Sequence, residues 1–295
     1  TLPVTAISVK PALITNVTTS SFTFAAGETS TYQCQLDGGS WAACTSPKDY
    51  TGLAAGSHTF SVKATDQAGN AEATPATYTW TVDATLPVTA ISGKPALMTN
   101  ATTASFTFAA GETSTYQCQL DGGAWAACTS PKEYTGLAAG SHTFSVKATD
   151  QAGNPEATAV TYTWMVDITV PVTAASPAEG TYDSAQNVTL SANELATIFY
   201  TTNGTDPTES SLVYSTPIPI TVTTTLKFFA KDPAGNAEAV KTAVYNISHI
   251  AKGDINGDGS VDLTDAVLAR QVFSGILSGQ TIHKNADVNG DGKMD

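Results

Sequence analysis

The chain contains few charged residues, and basic residues are especially scarce. Only 13% of its 295 residues are charged, and 13 Lys and Arg against 26 Asp and Glu give a net charge of −13. Phosphate binding needs clustered Lys and Arg, so this balance argues against a nucleic-acid partner and is compatible with calcium-rich surroundings. The chain also has no run of about 18 apolar residues, so the sequence predicts no membrane span.

The sequence offers no constellation of catalytic residues. It has four histidines, of which His58 and His142 occupy one repeat position and each lead into a predicted strand. A structural role is therefore favoured over catalysis for both. No nucleophile motif or phosphate-binding loop stands out. We predict that the chain is not an enzyme.

Cysteine is also scarce, and its four residues form two identical pairs, Cys34 with Cys44 and Cys118 with Cys128. The first pair is symmetric about Gly39, as opposed positions on the two strands of a hairpin would be. No Cys-x-x-Cys spacing or nearby His completes a zinc site. Disulfides are favoured, with buried free thiols and zinc as alternatives, and disulfides indicate an oxidising, extracellular setting.

Internal repetition organises most of the chain. The opening Thr-Leu-Pro-Val-Thr-Ala-Ile-Ser starts at Thr1 and Thr85 and returns in altered form at Thr169, a period of 84 residues. The third unit also keeps the late Asp-x-Ala-Gly-Asn motif but replaces the middle. We predict three domains of one architecture and a different C-terminal module, with boundaries at 1–84, 85–168, 169–248 and 249–295.

Inside a unit, apolar residues alternate with polar ones, which is typical of strands with one buried face. So many inward aromatic side chains need a second layer, and this predicts β-sandwiches. For Trp41, Trp125, Trp80 and Trp164, packing is favoured over stacking on sugars. The alternating residues of the first unit are Phe22, Phe24, Tyr32, Cys34, Leu36, Phe60, Val62, Ala64, Tyr78, Trp80 and Val82.

Two resemblances cover the predicted sandwiches. The Cys-Gln-Leu-Asp-Gly-Gly hairpin, Trp41 and the segment 64–70, with their counterparts in the second unit, resemble bacterial immunoglobulin-like repeats of secreted and surface proteins. That resemblance implies a stalk, spacer or adhesive role. Segments 198–208 and 226–236 resemble the small sandwich domain at the C-terminal end of chitobiase-type enzymes, which is an accessory without catalytic residues.

The junctions between units are short, so we predict a semi-rigid rod. Acidic residues recur near the junctions and turns, and they either hold calcium between domains or are solvated turn and cap residues. The second interpretation is favoured, because no dense carboxylate cluster forms in sequence. These residues are Asp66, Glu72, Asp83, Asp150, Glu156 and Asp167.

The segment from Asp254 to Asp265 matches the calcium-loop template, with Gly259 at the sharp turn. Oxygen ligands alone suit a hard cation, so we predict Ca²⁺ as the cofactor. Asp262 is expected to cap a helix that has Asp265 at its third position and runs to about Leu277. The predicted ligands are Asp254, Asn256, Asp258, Ser260 through its carbonyl, Asp262 and Asp265.

A second loop begins at Asp287 and stops at Asp295, before a twelfth-position carboxylate, so we expect the chain to continue. Two Asp-x-Asn-Gly-Asp-Gly loops separated by a helix and a linker resemble a type I dockerin, the calcium-dependent module that binds cohesins in bacterial complexes. The resemblance implies five further ligands, namely Asp287, Asn289, Asp291, Lys293 through its carbonyl, and Asp295.

The helix after the first loop is predicted to be apolar on two faces. The dockerin resemblance implies that Leu263 and Thr264, at the helix start, contact the cohesin. The face with Leu268, Val272 and Ile276 is expected to meet a second helix, a neighbouring domain or a partner protein.

The predicted fold class is mainly β, with three tandem immunoglobulin-like sandwiches followed by a small α-helical, EF-hand-like module. We predict a non-catalytic, extracellular or cell-surface bacterial protein with a structural or adhesive role, whose calcium-dependent module binds a cohesin-like domain or copies of the chain. One alternative is the C-terminal appendage of a secreted carbohydrate-active enzyme that docks to a cohesin. Another is a glycan-binding module.

Overall fold

The computed structural model describes residues 1–248, 253–256 and 259–274. Over these residues the fold is mainly β, with three sandwich-like pairs of sheets and one helix, which confirms the predicted fold class. The chain forms two compact units, Thr1–Val166 and Asp167–Asp295. In the described part, no helix is long and apolar enough to cross a membrane.

Unit one contains two sandwiches of eight strands each. The strands of the first sandwich are β1 (Thr5–Val9), β2 (Ile14–Thr15), β3 (Ser20–Ala26), β4 (Ser30–Leu36), β5 (Ala42–Cys44), β6 (Lys48–Tyr50), β7 (Gly56–Asp66) and β8 (Ala76–Val82). The strands of the second are β9 (Thr89–Gly93), β10 (Met98–Thr99), β11 (Ala104–Ala110), β12 (Ser114–Leu120), β13 (Ala126–Cys128), β14 (Lys132–Tyr134), β15 (Gly140–Asp150) and β16 (Val160–Val166).

Unit two contains a third sandwich and the helix. The strands are β17 (Thr173–Ser176), β18 (Gly180–Tyr182), β19 (Gln186–Ala192), β20 (Thr197–Thr201), β21 (Leu212–Val213), β22 (Ile218–Ile220), β23 (Thr224–Lys231) and β24 (Lys241–Ile247). The helix, α1, spans Leu263–Phe273.

The three sandwiches share one topology. The first pairs a three-stranded sheet, β1-β3-β6, with a five-stranded sheet, β2-β8-β7-β4-β5. The second and third repeat these orders, strand for strand, although the middle of the third has a different sequence. In each, the short second strand pairs in parallel with the last strand, while the other named strand pairs are antiparallel.

Aromatic side chains fill the first two cores, as the alternation predicts. The rings of Phe22 and Phe60 stack with centroids 4.2 Å apart, which joins the two sheets of the first sandwich. Trp80 and Trp164 are only 1% and 2% exposed, so their predicted packing role is confirmed. In the third sandwich, Tyr245 is fully buried within a mainly aliphatic core.

The four cysteines form the two predicted disulfides, Cys34–Cys44 and Cys118–Cys128. The hairpin register differs from the symmetric pairing expected, because Cys34 lies opposite Ala42 and not opposite Cys44. The reason is the turn, where Asp37 and Gly38 both have positive φ, so that the hairpin centres on Gly38. The disulfide therefore joins diagonal positions, with Cα atoms 5.8 Å apart.

A glutamate, buried in the first sandwich and half-buried in the other two, holds the first strand of each sandwich against the long central strand. Glu72 accepts hydrogen bonds from Thr5 N at 2.7 Å, Thr5 Oγ1 at 2.6 Å and Ala64 N at 2.9 Å. Glu156 makes the same three contacts with Thr89 and Ala148. The interpretation of Glu72 and Glu156 as solvated turn residues is therefore wrong, and we call this arrangement the carboxylate clasp.

The third sandwich repeats the clasp with Glu238, which accepts hydrogen bonds from the backbone N–H groups of Thr173 and Ala230. Burial acts to raise the pKa of Glu238, but hydrogen bonds, chiefly from Thr173, outweigh it and lower that pKa. The threonine of the repeated opening motif thus has a structural role in all three sandwiches.

Candidate metal centre

Two glycines give the predicted calcium loop its local shape. Gly253 precedes the loop with a φ of 95°, and Gly259 within it has a φ of 91°. Both values lie in the left-handed region, which glycine adopts without the steric penalty of a Cβ atom. Gly259 N also donates to Asp254 Oδ2 at 2.8 Å, so the turn is held to the start of the loop.

Asp265 connects the two ends of the loop. Its Oδ1 accepts hydrogen bonds from Ile255 N at 2.7 Å and Asn256 N at 3.1 Å, and its Oδ2 accepts one from Asp262 N at 2.9 Å. The N–H of Asp262 is the main cause that holds the pKa of Asp265 below its usual value. Burial opposes this effect, and the N–H groups of Asn256 and Ile255 add to it.

The same residues begin α1. Asp262 Oδ1 accepts a hydrogen bond from Thr264 N at 2.7 Å, and Asp262 N donates one to Asp265 Oδ2 at 2.9 Å. These two hydrogen bonds form a capping-box arrangement, in which each side chain satisfies a backbone N–H that the helix leaves without a partner. The end of the loop and the first turn of the helix therefore form one structure, as the sequence predicts.

Two carboxylates of this segment are well buried, since Asp254 is 0% exposed and Asp265 is 2% exposed. Two buried carboxylates in one short loop are unfavourable without a compensating positive charge. The donor set is made of oxygens, which is the chemistry that Ca²⁺ prefers. The described residues thus fit a calcium ion.

The ligand assignment itself stays a prediction. Among the predicted ligands, the structure describes Asp254, Asn256, Ser260 and Asp262 in the loop and Asp265 in the first turn of α1. The others lie outside the described residues, namely Asp258, Asp287, Asn289, Asp291, Lys293 and Asp295.

The predicted partner-binding residues lie along α1. Leu263 is 78% exposed and Thr264 is exposed, whereas Leu268 is half-buried. The side chain of Val272, the whole of Ile276 and the predicted helix end at Leu277 lie outside the described part. An exposed leucine at the start of a helix is available for an apolar contact with a partner.

The predicted glycan-stacking residues Trp41 and Trp125 differ from the two core tryptophans. Both are half-buried. Lys63 Nζ lies 4.4 Å from the ring centroid of Trp41, and Lys147 Nζ lies 4.5 Å from that of Trp125. One face of each ring therefore makes a cation–π contact, and glycan binding stays a prediction.

Family models match two parts of the chain. Residues 177–242 match the chitobiase/β-hexosaminidase C-terminal domain, and residues 252–295 match the dockerin type I domain. The chitobiase-type and dockerin resemblances are thereby confirmed, and both models describe non-catalytic modules. Type I dockerin domains bind calcium, so Ca²⁺ is the cofactor of this part of the chain. A dockerin also implies a cohesin as the protein partner and an extracellular setting, which the two disulfides fit.

Solved structures with similar folds have low identity to this chain. Fibronectin(III)-like modules of CbhA from Clostridium thermocellum match at 15% identity and a TM-score of 0.35, over 55% of this chain and 94% of theirs. A structure described for host cell surface retention of a 1.5-MDa bacterial ice-binding adhesin matches at 14% identity and a TM-score of 0.38, over 84% and 99%. No curated protein matches the chain.

Sequence reasoning missed several acidic residues that the structure brings together. Glu112 lies near Asp83 and Asp150, and Glu194 and Asp232 lie near Asp167. Asp232 could have been found, because it opens the third copy of the Asp-x-Ala-Gly-Asn motif. Glu112 and Glu194 have no such signal, since they occupy turns of unlike sequence.

Proposed function

We propose that this chain is a non-catalytic extracellular module in which tandem sandwich domains carry a calcium-loaded dockerin that binds a cohesin. The single observation that carries the proposal is the match of residues 252–295 to the dockerin type I domain. The loop geometry supports it, because Asp265 closes the loop and also caps the helix that bears the predicted partner contacts.

Calcium would act on the partner-binding residues through this shared structure. Leu263 and Thr264 occupy the first helical turn, directly after the capping residue Asp262. Metal binding that is coupled to folding would hold this turn in one conformation, and the cohesin would then meet a preorganised surface. Disrupting the loop should therefore abolish both calcium binding by the loop and cohesin binding.

The sandwich domains are proposed to serve as structural or adhesive spacers on the outside of a bacterial cell. Each of the first two domains is stabilised by contacts within itself, since each has an aromatic core, a disulfide and a carboxylate clasp. Disulfides persist in oxidising compartments, which fits an extracellular location. We also propose that copies of the chain associate, because repeated identical units can repeat one contact along an array.

The test is binding of the full chain to an immobilised type I cohesin, with Ca²⁺ and again with a chelator. We expect wild-type binding in calcium only, and weakening by about 100-fold or more in Asp265→Ala, because the loop loses both a ligand and its helix contact. Asp66→Ala, an acidic residue of a turn in the first sandwich, is the matched control and should bind normally. Binding that survives chelation would contradict the proposal.

A second variant distinguishes calcium binding from cohesin binding. Leu263→Asp should leave calcium binding, measured by titration calorimetry, unchanged, because Leu263 offers no side-chain oxygen to the loop. It should still weaken cohesin binding strongly, since a charge replaces the exposed apolar contact. Equal cohesin affinity in Leu263→Asp and wild type would show that the cohesin contacts a different surface of the module.

A second candidate function is supported by the match of residues 177–242 to the chitobiase/β-hexosaminidase C-terminal domain. Under this proposal the chain is an accessory segment of a secreted carbohydrate-active enzyme, and the dockerin attaches that enzyme to a cohesin. The sequence of the intact reading frame decides between the structural role and the accessory role. A catalytic domain in the same frame supports the accessory role, and further sandwich repeats support the structural role.

A further inference from the structure

Three carboxylates converge where the first two sandwiches meet. Asp83 follows β8, Glu112 lies in the turn between β11 and β12, and Asp150 ends β15. Each offers one oxygen, and the three oxygens lie within 4.8 Å of one another. Oxygens bound to one Ca²⁺ at about 2.4 Å are separated by at most about 4.8 Å, so this spacing suits a shared cation. We call these residues the first triad.

Unit two contains an equivalent set. Asp167 follows β16, Glu194 lies in the turn between β19 and β20, and Asp232 follows β23, again with oxygens within 4.8 Å of one another. We call these residues the second triad. Its glutamate comes from Ser-Ala-Asn-Glu-Leu, whereas that of the first triad comes from Ala-Gly-Glu-Thr-Ser. The same arrangement therefore arises at corresponding places in the fold from two different turn sequences.

One oxygen of the second triad has no hydrogen-bond partner in the part of the chain that the structure describes. Oε1 of Glu194 is shielded from solvent and accepts no hydrogen bond from the described residues. A buried acceptor without a donor is unfavourable, and more so when it is charged. Burial raises the pKa of Glu194, and the charges of Asp167 and Asp232 add to that effect. A cation among the three carboxylates would satisfy the orphaned oxygen and remove the repulsion together.

Within the described residues, no basic side chain forms an ion pair with either triad. Among the ion pairs of the described residues, each joins other partners, and none includes a member of the triads. Each site therefore brings three acidic side chains together without a Lys, Arg or His counter-charge in the described structure. A bound cation could therefore neutralise the negative charge of each site.

Hydrogen bonds hold the aspartates of both triads in place. Asn154 N donates to Asp150 Oδ1 at 2.7 Å, and Asn154 Nδ2 donates to the carbonyl of Asp83 at 2.9 Å. In unit two, Asn236 makes the same contacts with Asp232 and with the carbonyl of Asp167, both at 2.8 Å. Binding an ion thus needs little rearrangement of these aspartates.

The first sandwich supplies a natural control. Glu28 and Asp66 occupy the positions that correspond to Glu112 and Asp150. Within the described part of the chain, no third carboxylate joins them in a group close enough to share an ion. Glu28 is exposed, whereas Glu112 is half-buried. Glu28 and Asp66 therefore occupy the equivalent positions of the first sandwich without belonging to a triad.

We propose that each triad binds one divalent cation of the hard, oxygen-preferring class, with Ca²⁺ as the ion expected outside the cell. In the first triad the ion joins Asp83 of the first sandwich to Glu112 and Asp150 of the second. In the second triad it joins Asp167 to the third sandwich. These sites are separate from the dockerin loops and do not depend on cohesin binding.

The test is titration calorimetry of the calcium-free full chain with Ca²⁺. Compared with wild type, Glu112→Gln and Glu194→Gln should each bind one ion fewer per chain, and the double variant two fewer, in keeping with one ion for each triad. Glu28→Gln should match wild type. Unchanged stoichiometry in the double variant would overturn the proposal, whatever the result with the cohesin.

Three further variants address misfolding of the glutamine variants and calcium binding by the dockerin loops. If the glutamine variants lose their native β signal in circular dichroism, Asp83→Asn and Asp167→Asn serve in their place, with the same expected loss of one ion each. Asp265→Ala should lose loop binding but retain the ions of both triads. Complete loss of calcium binding in Asp265→Ala would show that the triads bind none.

Discussion

The turns at 66–70 and 150–154 have the same sequence, Asp-Gln-Ala-Gly-Asn, but different surroundings. Inside each turn the asparagine N–H donates to the aspartate Oδ1, at 2.8 Å in the first and 2.7 Å in the second. Asn70 is exposed, whereas Asn154 is 7% exposed, because Asn154 also reaches the carbonyl of Asp83 in the preceding sandwich. The local sequence determines the turn, and the neighbouring sandwich determines what the turn can bind.

The electrostatics of the two aspartates differ in the same way. Both have a pKa below the usual value. For Asp66 the main cause is the hydrogen bond from the side chain of Asn70. For Asp150 burial is the largest influence and acts to raise the pKa, but the hydrogen bonds from Asn154 and the turn backbone outweigh it. Asp150 is thus a buried carboxylate that its own turn keeps ionised.

The largest expected effect comes from a feature that the two sandwiches share. Glu72→Ala and Glu156→Ala each remove the acceptor of three hydrogen bonds and leave backbone N–H groups without a partner. We expect each change to destabilise its own sandwich by about 3 kcal/mol. In hydrogen exchange followed by mass spectrometry, peptides of β1 or β9 should exchange about 100-fold faster.

The two clasp variants also control each other. Glu72→Ala should affect peptides of the first sandwich, and Glu156→Ala those of the second, because the contacts of each glutamate stay within one sandwich. Glu28→Ala, at an exposed position, should change neither. A strong effect in one sandwich and none in the other would show that the clasp is not an equivalent feature of both.

A smaller effect separates the two turns directly. Asn70→Ala and Asn154→Ala remove the same contacts within the turn, but only Asn154→Ala also loses the hydrogen bond to the Asp83 carbonyl. That difference is worth about 1 kcal/mol, or roughly a fivefold change in exchange rate. Exchange of peptides covering 83–88 should therefore accelerate in Asn154→Ala alone. Equal acceleration in both variants would mean that the contact does not stabilise the junction.

The sequence was sufficient wherever the deciding contacts are local or periodic. Alternation placed Phe22 and Trp80 in a core because the side-chain period of a strand does not depend on its partner. The calcium loop was also predictable, since its described residues lie within one short segment. Both the capping box and the turn at Gly259 follow from that spacing.

Prediction failed where the deciding contacts join residues that are distant in sequence, or where they depend on the backbone conformation of one turn. Asp83, Glu112 and Asp150 are far apart in sequence, and only the packing of two sandwiches brings them together. The predicted hairpin register was wrong because Asp37 and Gly38, both with positive φ, form the turn, so that the hairpin centres on Gly38 and not on Gly39. Asp-Gly is a common sequence for such a turn, but the symmetric spacing of the cysteines indicated a hairpin centred on Gly39.

The smallest expected effect concerns a feature that should be alike in both sandwiches, away from their junction. His58 Nδ1 lies 2.7 Å from Asp37 Oδ2 and its Nε2 lies 2.8 Å from the carbonyl of Ala54, so both ring nitrogens face acceptors. The Ala54 carbonyl and then the Asp37 carboxylate raise the pKa of His58 above 6.5, and His142 is raised in the same way. A raised pKa means that the stabilisation is complete below pH 6.5 and is lost as the pH rises through the folded-state pKa.

Both histidines should therefore titrate above pH 6.5 when their ring protons are followed by nuclear magnetic resonance. Asp37→Asn should lower the pKa of His58 and leave that of His142 unchanged, which makes the second sandwich the control within one molecule. Asparagine tolerates the positive φ of this position, so the turn should persist. A His58 that titrates at or below 6.5 in wild type would mean that its neutral form is the one the first sandwich stabilises, and the sign of the pH dependence would reverse.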